Sequence, residues 1–477
     1  MRSATPVAVL LALAVSSGAA ADTIILRNGR RIVASDVTED SAHVTYQTPA
    51  GQFSIPKTIV ERIEHDGFSY SSASSSAGSA PPVSAPTVEP VSGYEDVMRL
   101  AVHNDAVDFA YLARADSEAR SGGAIAIAND SAAHHAAAQF LIGKGDIDPA
   151  IEQYHQALAY APANVGLLLN VASLYLRESQ FTAALDPLER ARRAAPNSAD
   201  VAKLMGWAYR GADKMDRAIA EWQRAESLRK DPEVEQALEK AQRDKGEEDS
   251  YREGETLHFN LKYNGSATPD LARGILRALE DDFRDLESQL DYTPPESIAV
   301  ILYTDQAFAD ITRAPGWVGA LNDGRLRIPV QGLSSVTPEL ARVLKHELTH
   351  SFVGQKSHGR APTWLQEGVA QWMEGRRSTA SAGALVSAAG QGAMPPLGAM
   401  EGSWMALSGN SAAFSYAWAL AVVEAIIDTG GVNDISRLLD RVATSPSTES
   451  AAQEALHSNY SDLQDDTVAY LKREYLR

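Results

Sequence analysis

His346, Glu347 and His350 stand in the run His-Glu-Leu-Thr-His. On a helix this spacing puts two imidazoles one turn apart with a carboxylate beside them, the ligand geometry of a zinc hydrolase. Glu347 points about 100° round the axis from His346, where it can address a metal-held water but is badly placed as a ligand; that is the general-base position. The flanks predict a helix from Thr337 to Val353: Thr337 as N-cap, Pro338 at the first position, Glu339 at the positive helix start and Gly354 as the stop. Leu340, Leu344 and Leu348 fall on one apolar stripe and the histidines on the other side, so the histidines are not core filler. The five letters alone fit two surface histidines and a solvated glutamate equally well.

A catalytic zinc needs three protein ligands and an open position. Sixteen residues intervene between His350 and Glu367, which lies in Trp364-Leu365-Gln366-Glu367-Gly368-Val369-Ala370, behind the helix-start signal Pro362-Thr363. A second helix crossing the first would deliver that carboxylate. The paired motifs resemble the gluzincin metallopeptidases of the peptidase MA-like group, in which HExxH is followed by a helix carrying WLxEGxA. The resemblance implies that Glu367 is the third ligand beside His346 and His350, and that the metal is zinc. M1-type aminopeptidases share the pairing but usually place two more residues between the motifs.

Other zinc-site patterns fit less well. A metzincin needs Gly three and His six residues after the second histidine; those positions hold Val353 and Lys356, and His358 reads as a loop residue. The run Gly398-Ala399-Met400-Glu401 looks like an exopeptidase motif but lies downstream of HExxH, where the aminopeptidases carry it upstream, so it reads as coincidence. Tyr416, on a helix from Ala412 to Ile427, sits where the resemblance implies a tyrosine that stabilises the developing oxyanion. Phe414, Tyr416 and Trp418 can equally be packing aromatics. Glu374 and Gln371 share a helical face with Glu367, either supporting the site or simply exposed.

The elements needed to position these groups occupy only half of the chain. Its 477 residues suffice for two or three domains, and 44% hydrophobic content is that of a soluble protein. A net charge of −19 excludes nucleic acid as a partner, because phosphate binding needs a basic surface. Residues 1–21 combine one Arg, the apolar run Val7 to Val15 and Ala19-Ala20-Ala21 before Asp22, the build of a cleavable secretory signal; an uncleaved N-terminal anchor is the other reading. No later segment approaches 18 uninterrupted apolar residues, so no transmembrane span is expected. With no cysteine, thiolate ligands and a lipid-anchoring cysteine are excluded. A periplasmic or secreted bacterial protein is the expected setting.

Residues 22–66 alternate in short runs broken at Asn28-Gly29, Glu39-Asp40 and Pro49-Ala50-Gly51, which predicts hairpins of a small β domain. Residues 67–93 are a Ser- and Pro-rich linker, and 94–127 a helical segment running from about Tyr94 to Arg120 before a Ser-Gly-Gly break. Over 128–245 a period of 34 aligns Ala138, Ala172 and Gly206; Leu141, Tyr175 and Tyr209; Ala150, Ala184 and Ala218; and Ala157, Ala191 and Ala225. That is the signature of tetratricopeptide (TPR) repeats, with Pro162, Pro196 and Pro232 closing the units. Small residues there let helices approach, while Tyr154, Leu188 and Trp222 fill the grooves. A TPR array either binds a peptide or protein partner or caps its neighbour. The run Lys240 to Glu248 reads as a solvated helix end and hinge.

Residues 246–477 then form the catalytic unit, with strands at Leu257 to Tyr263, Ile298 to Tyr303 and Leu326 to Val330 and a helix at Pro269 to Leu290. The last strand is expected to line the cleft, its edge open to a substrate backbone. The fold class is therefore multidomain: a small N-terminal β domain, an all-α TPR solenoid, and an α+β zincin-like (gluzincin) peptidase domain. The expected function is zinc-dependent hydrolysis of a peptide or protein substrate, with Glu347 as base and a water at the fourth zinc position. A TPR scaffold whose peptidase-like domain is inactive or holds zinc structurally is the alternative.

Overall fold

The structure is a computed structural model that describes residues 21–26, 31–39, 43–48, 51–57, 60–64, 94–264, 267–312, 320–330, 332–404, 407 and 409–476. Residues 1–20 of the segment read as a secretory signal, and the whole of the segment read as a linker, lie outside these residues. Two compact units divide the chain.

The first unit carries strands β1 (Ala21–Leu26), β2 (Arg31–Glu39), β3 (His43–Thr48), β4 (Gly51–Pro56) and β5 (Val60–Glu64). They form one antiparallel sheet in the order β4-β3-β2-β1-β5, so successive hairpins are followed by a return of β5 to the free edge of β1.

The second unit begins with α1 (Tyr94–Ala101), the two-residue strands β6 (Val102–His103) and β7 (Ala106–Val107), and α2 (Phe109–Ala119). The helix expected over Tyr94 to Arg120 is thus broken by a hairpin whose turn residues Asn104 and Asp105 have φ of 51° and 57°. Then come α3 (Ala124–Lys144), α4 (Ile147–Tyr160), α5 (Val165–Arg177), α6 (Leu185–Ala194), α7 (Ala199–Gly211), α8 (Met215–Leu228) and α9 (Pro232–Glu248). The aligned small residues are where these helices touch: Ala138, Ala150, Ala157, Ala172, Ala184, Ala191 and Ala218 are fully buried. Gly206 has no alternative, since a Cβ there would stand 2.3 Å from Trp222 Cδ1.

The period also sets the turns inside each helix pair. Gly145, Ser179 and Asp213, 34 residues apart, are all left-handed, with φ of 85°, 56° and 51°. All three turns meet the C-terminal half of the unit. Gly145 lies against Thr444; beside Ser179, Glu178 pairs with His358 at 2.8 Å; Asp213 pairs with Arg325 and Lys262, each at 3.1 Å.

That half opens with β8 (Arg252–Glu255), β9 (Phe259–Tyr263), α10 (Pro269–Leu290), β10 (Ile298–Tyr303), α11 (Asp305–Thr312), β11 (Leu321–Asn322) and β12 (Leu326–Pro329). The sheet order is β11-β12-β10-β9-β8, with β10 parallel to β9 and β12 and the outer strands antiparallel. β10 is buried along its whole length, as its unbroken apolar run requires. The expected open edge of β12 is a correction: β11 folds back at Asn322-Asp323-Gly324 and pairs Leu321 with Arg327 and Asn322 with Leu326.

Helices complete the half: α12 (Pro338–Lys356), α13 (Thr363–Met373), α14 (Ala382–Gly390), α15 (Gly409–Gly430), α16 (Val432–Thr444), α17 (Thr448–Leu456) and α18 (Tyr460–Tyr475). Thr268 and Thr337 cap α10 and α12 as their Thr-Pro signals dictate, each accepting from the third residue on at 3.1 Å. Phe283 of α10 ties α12 to the sheet, meeting Phe352 and Phe259 edge-on at 5.0 and 5.9 Å. Within α15, Ser411–Gly430 is long and apolar enough to cross a membrane, and 67% of its apolar window is buried.

The reading of Lys240 to Glu248 as a solvated hinge is a second correction. Arg327 (β12) grips Asp244 of α9 through two bonds, 2.7 and 3.0 Å, and holds Asp323 with Nε at 3.0 Å. Arg325 takes both carboxylate oxygens of Glu248 at 2.7 and 2.8 Å, and Tyr303 donates to Glu248 at 2.9 Å. Lys240 pairs with Asp323. The charged run is polar because it docks α9 onto the sheet, each buried charge meeting its opposite.

Candidate metal centre

α12 is buried on both sides. Leu340, Leu344 and Leu348 face the core as the stripe demands, yet His346 is only 4% exposed and Glu347 and His350 are fully buried. The surface reading of the histidines therefore fails. The helix also passes Gly354 and ends at Lys356; the chain leaves it only where His358 and Gly359 turn left-handed, with φ of 51° and 71°.

α13 crosses α12 and brings Glu367, also fully buried, to the two histidines. One ligand atom from each of His346, His350 and Glu367 lies within 4.8 Å of the others. Glu367 carboxylate oxygens are 3.5 Å from His346 Nε2 and 3.9 Å from His350 Nε2. Gly368, next to that ligand, has to be glycine: a Cβ would lie 2.5 Å from the main-chain oxygen of Ala419 in α15.

The far nitrogens fix the rings. His350 Nδ1 faces Gln366 Oε1 at 3.4 Å and His346 Nδ1 faces Glu374 Oε2 at 3.7 Å. Donation from His350 Nδ1–H to Gln366 leaves its Nε2 bare and turned inward, the arrangement of metal-ligating histidines, while Glu374 stands as an ion-pair partner beside His346 Nδ1. Neither Nε2 has a hydrogen-bond partner although both are buried. Burial disfavours a charge on both rings, but for His346 the attraction of the nearby Glu367 and Glu374 carboxylates outweighs it and carries the pKa up to about 10. For His350 burial wins against the attraction of Glu367 and pushes the pKa down to about 4. A cation among these groups would replace the proton that the carboxylates otherwise hold on His346, so the residues fit a metal ion.

The remaining candidates sort by contact. His358 is occupied by Glu178. Glu374 and Gln371 are buried beside the site rather than exposed; Gln371 donates to the main-chain oxygens of Glu367 and Tyr416 at 3.1 and 3.0 Å. Tyr416, 7% exposed, packs edge-on against Trp404 at 5.1 Å. Glu401 accepts from Tyr460 at 2.5 Å, a bracing contact that accounts for it without exopeptidase chemistry. Two residues escaped the sequence reading. Gln366 lay in view inside the second motif, one residue before Glu367; Asn322, which donates to the main-chain oxygen of Glu347, was visible only as part of a turn.

Residues 294–473 match the model of the Peptidase MA superfamily, and residues 141–208 that of the tetratricopeptide repeat. The chain carries a peptidase MA superfamily domain. It follows TPR repeats, and its three clustered residues can hold a metal ion. No curated protein matches the chain. Solved structures similar to part of it include the first TPR of Spaghetti (RPAP3) bound to the HSP90 peptide SRMEEVD, 21% identical over 24% of this chain and 93% of that one, with a TM-score of 0.24. MamA 41-end from Desulfovibrio magneticus RS-1 is 21% identical over 31% of this chain and 88% of that one, also with a TM-score of 0.24.

Proposed function

We propose that the peptidase MA domain is an active zinc metallopeptidase of the gluzincin kind, with an α+β zincin arrangement, and that it hydrolyses peptide bonds of an exported chain's surroundings in the periplasm or outside the cell. The observation that carries this reading is the convergence of two buried, bare Nε2 atoms, from His346 and His350, on the Glu367 carboxylate. Two imidazoles and a carboxylate with no thiolate are a catalytic rather than a structural donor set for zinc.

His346, His350 and Glu367 would hold the metal, which when bound supplies positive charge to polarise the scissile carbonyl and acidify water. Glu347, one residue along from His346, takes the proton from the attacking water and passes it to the leaving amine. Gln366 and Glu374 orient the imidazoles, and Tyr416 is the side chain proposed to steady the oxyanion. The TPR repeats serve substrate or partner binding on the surfaces left by their docked turns. Residues 1–21 act as the export signal and the Ser- and Pro-rich segment as a linker from the small β domain.

The test is zinc content of the purified protein and of Glu347→Ala, with casein cleavage followed in both. About one zinc at this site in each, with cleavage only by the parent, is the expected result. Zinc without cleavage in either would favour the scaffold reading, and a parent without zinc would remove the site.

A further inference from the structure

We propose that Asp116, Asp130 and His134 form a second divalent-cation site, one that clamps α2 to α3, the first helix of the repeat array. It stands independently of the reading given to the His346 centre. Asp130 and His134 lie one turn apart on α3 and so project from the same face, and Asp116 comes from α2 packed alongside. One ligand atom from each residue lies within 4.8 Å of the others. His134 Nε2 is 3.4 Å from Asp116 Oδ1 and 3.6 Å from Asp130 Oδ1. Donors held tetrahedrally at about 2.1 Å from an ion stand roughly 3.4 Å apart. The spacing is as tight as the 3.5 and 3.9 Å of the first trio.

Proximity is joined by an independent sign. Asp130 is fully buried, and neither of its carboxylate oxygens has a hydrogen-bond partner. A carboxylate at that depth is expensive unless it is paired or bound to a metal. Among the described residues its ion-pair neighbour is His134, which also faces Asp116.

His134 is prepared as a ligand. It is 2% exposed, and its Nδ1 donates to Gln153 Oε1 of α4 at 2.9 Å. That bond orients the ring and turns Nε2 toward the two carboxylates, within hydrogen-bond reach of Asp116 Oδ1 at 3.4 Å, the position a metal ion would take from the proton. The Asp116 side chain is 24% exposed, which gives an ion a way in.

The surrounding core explains what a cation would add. Six of its eight buried members are alanines: Ala101, Ala115, Ala132, Ala133, Ala136 and Ala137, beside Val97 and Leu112. Alanine removes little apolar surface from water, so a cross-link of three helices through His134 and its partners strengthens a thin core. Two carboxylates and one imidazole suit a transition ion such as zinc or manganese better than calcium, which takes six to eight oxygens.

The experiment uses the full chain stripped with a chelator and titrated with Zn2+ against a chromogenic competitor. The parent should bind about two ions, and Asp130→Asn, His134→Ala and the milder Asp116→Asn about one each, with three-ligand sites counted singly. In a His346→Ala/His350→Ala chain one ion should remain, raising the thermal midpoint, and the rise should vanish when Asp130→Asn is added. A parent whose zinc count is unchanged by Asp130→Asn and Asp116→Asn overturns the proposal. So does a folded His346→Ala/His350→Ala chain that binds none.

Discussion

Asn322 donates through Nδ2 to the main-chain oxygen of Glu347 at 2.8 Å and to Ser351 Oγ at 2.7 Å. Its own Oδ1 accepts from Gly324 N at 3.0 Å, so the β11–β12 turn is fastened to the stretch of α12 that bears the proposed base. Asn322→Leu keeps the bulk but removes the donor, leaving a buried carbonyl and hydroxyl short of a partner at about 1–3 kcal/mol. Because a displacement of about 1 Å costs on the order of a hundredfold, kcat should fall tenfold or more while zinc content and KM hold. Unchanged kcat would mean that α12 positions Glu347 without the turn.

Arg327 and Asp244 are both essentially fully buried, and their paired bonds join the last repeat helix to the peptidase sheet. Arg327→Met removes the paired bonds on Asp244, leaving it Arg325 at 3.6 Å, and removes one partner of Asp323, with an expected loss of about 3–5 kcal/mol in urea unfolding. Adding Asp244→Leu should recover the part of that loss that comes from the Asp244 pair, since two apolar groups need no partner, while the part from Asp323 remains. If the double variant is as unstable as the single one, the pair contributes through shape rather than charge.

Asp323 gives the same interface a pH dependence. Burial would raise its pKa, but Arg327, Lys240 and Arg210 around it hold the carboxyl far below the usual carboxylate range. The folded value thus lies under the roughly 3.9 of an unfolded aspartate, so the unfolded chain binds the proton more readily. The contribution is complete above about pH 4 and drains away as pH falls toward the folded value. Asp323→Asn should therefore lower the urea midpoint at pH 6, and its gap to the parent should narrow from pH 4 to pH 2. A gap constant across that range would place the effect elsewhere.

Much of this was legible because it is local. The Thr-Pro caps of α10 and α12, the 34-residue register and the paired motifs that bring His346, His350 and Glu367 together each rest on residues within a turn or two, or on a repeat that announces itself. The charged stretch Lys240 to Glu248 misled for the opposite reason. Asp244 and Arg327 stand 83 residues apart, and nothing in either neighbourhood reports the other. The same holds for His346 and His350: helical periodicity placed them opposite a leucine stripe, but only the packing of α13 over that face makes them buried. The left-handed Ser179 and Asp213 turns escaped notice because neither is glycine, although the register put them level with Gly145.

His358 separates the proposed ligands from a histidine that merely lies near them in sequence. It pairs with Glu178 at 2.8 Å, each side chain about one-sixth exposed, so it ties a repeat turn to the end of α12. His358→Ala should leave zinc binding and kcat at parental values and reduce stability by no more than about 1 kcal/mol, the range of a partly exposed pair. Glu178→Ala should match it, and the double variant should cost little beyond either single one, because both remove one shared contact. His350→Ala, eight residues earlier, should abolish zinc binding at the first centre. If His358→Ala also loses zinc while Glu178→Ala does not, His358 belongs to the metal site and the docking account of this turn is wrong.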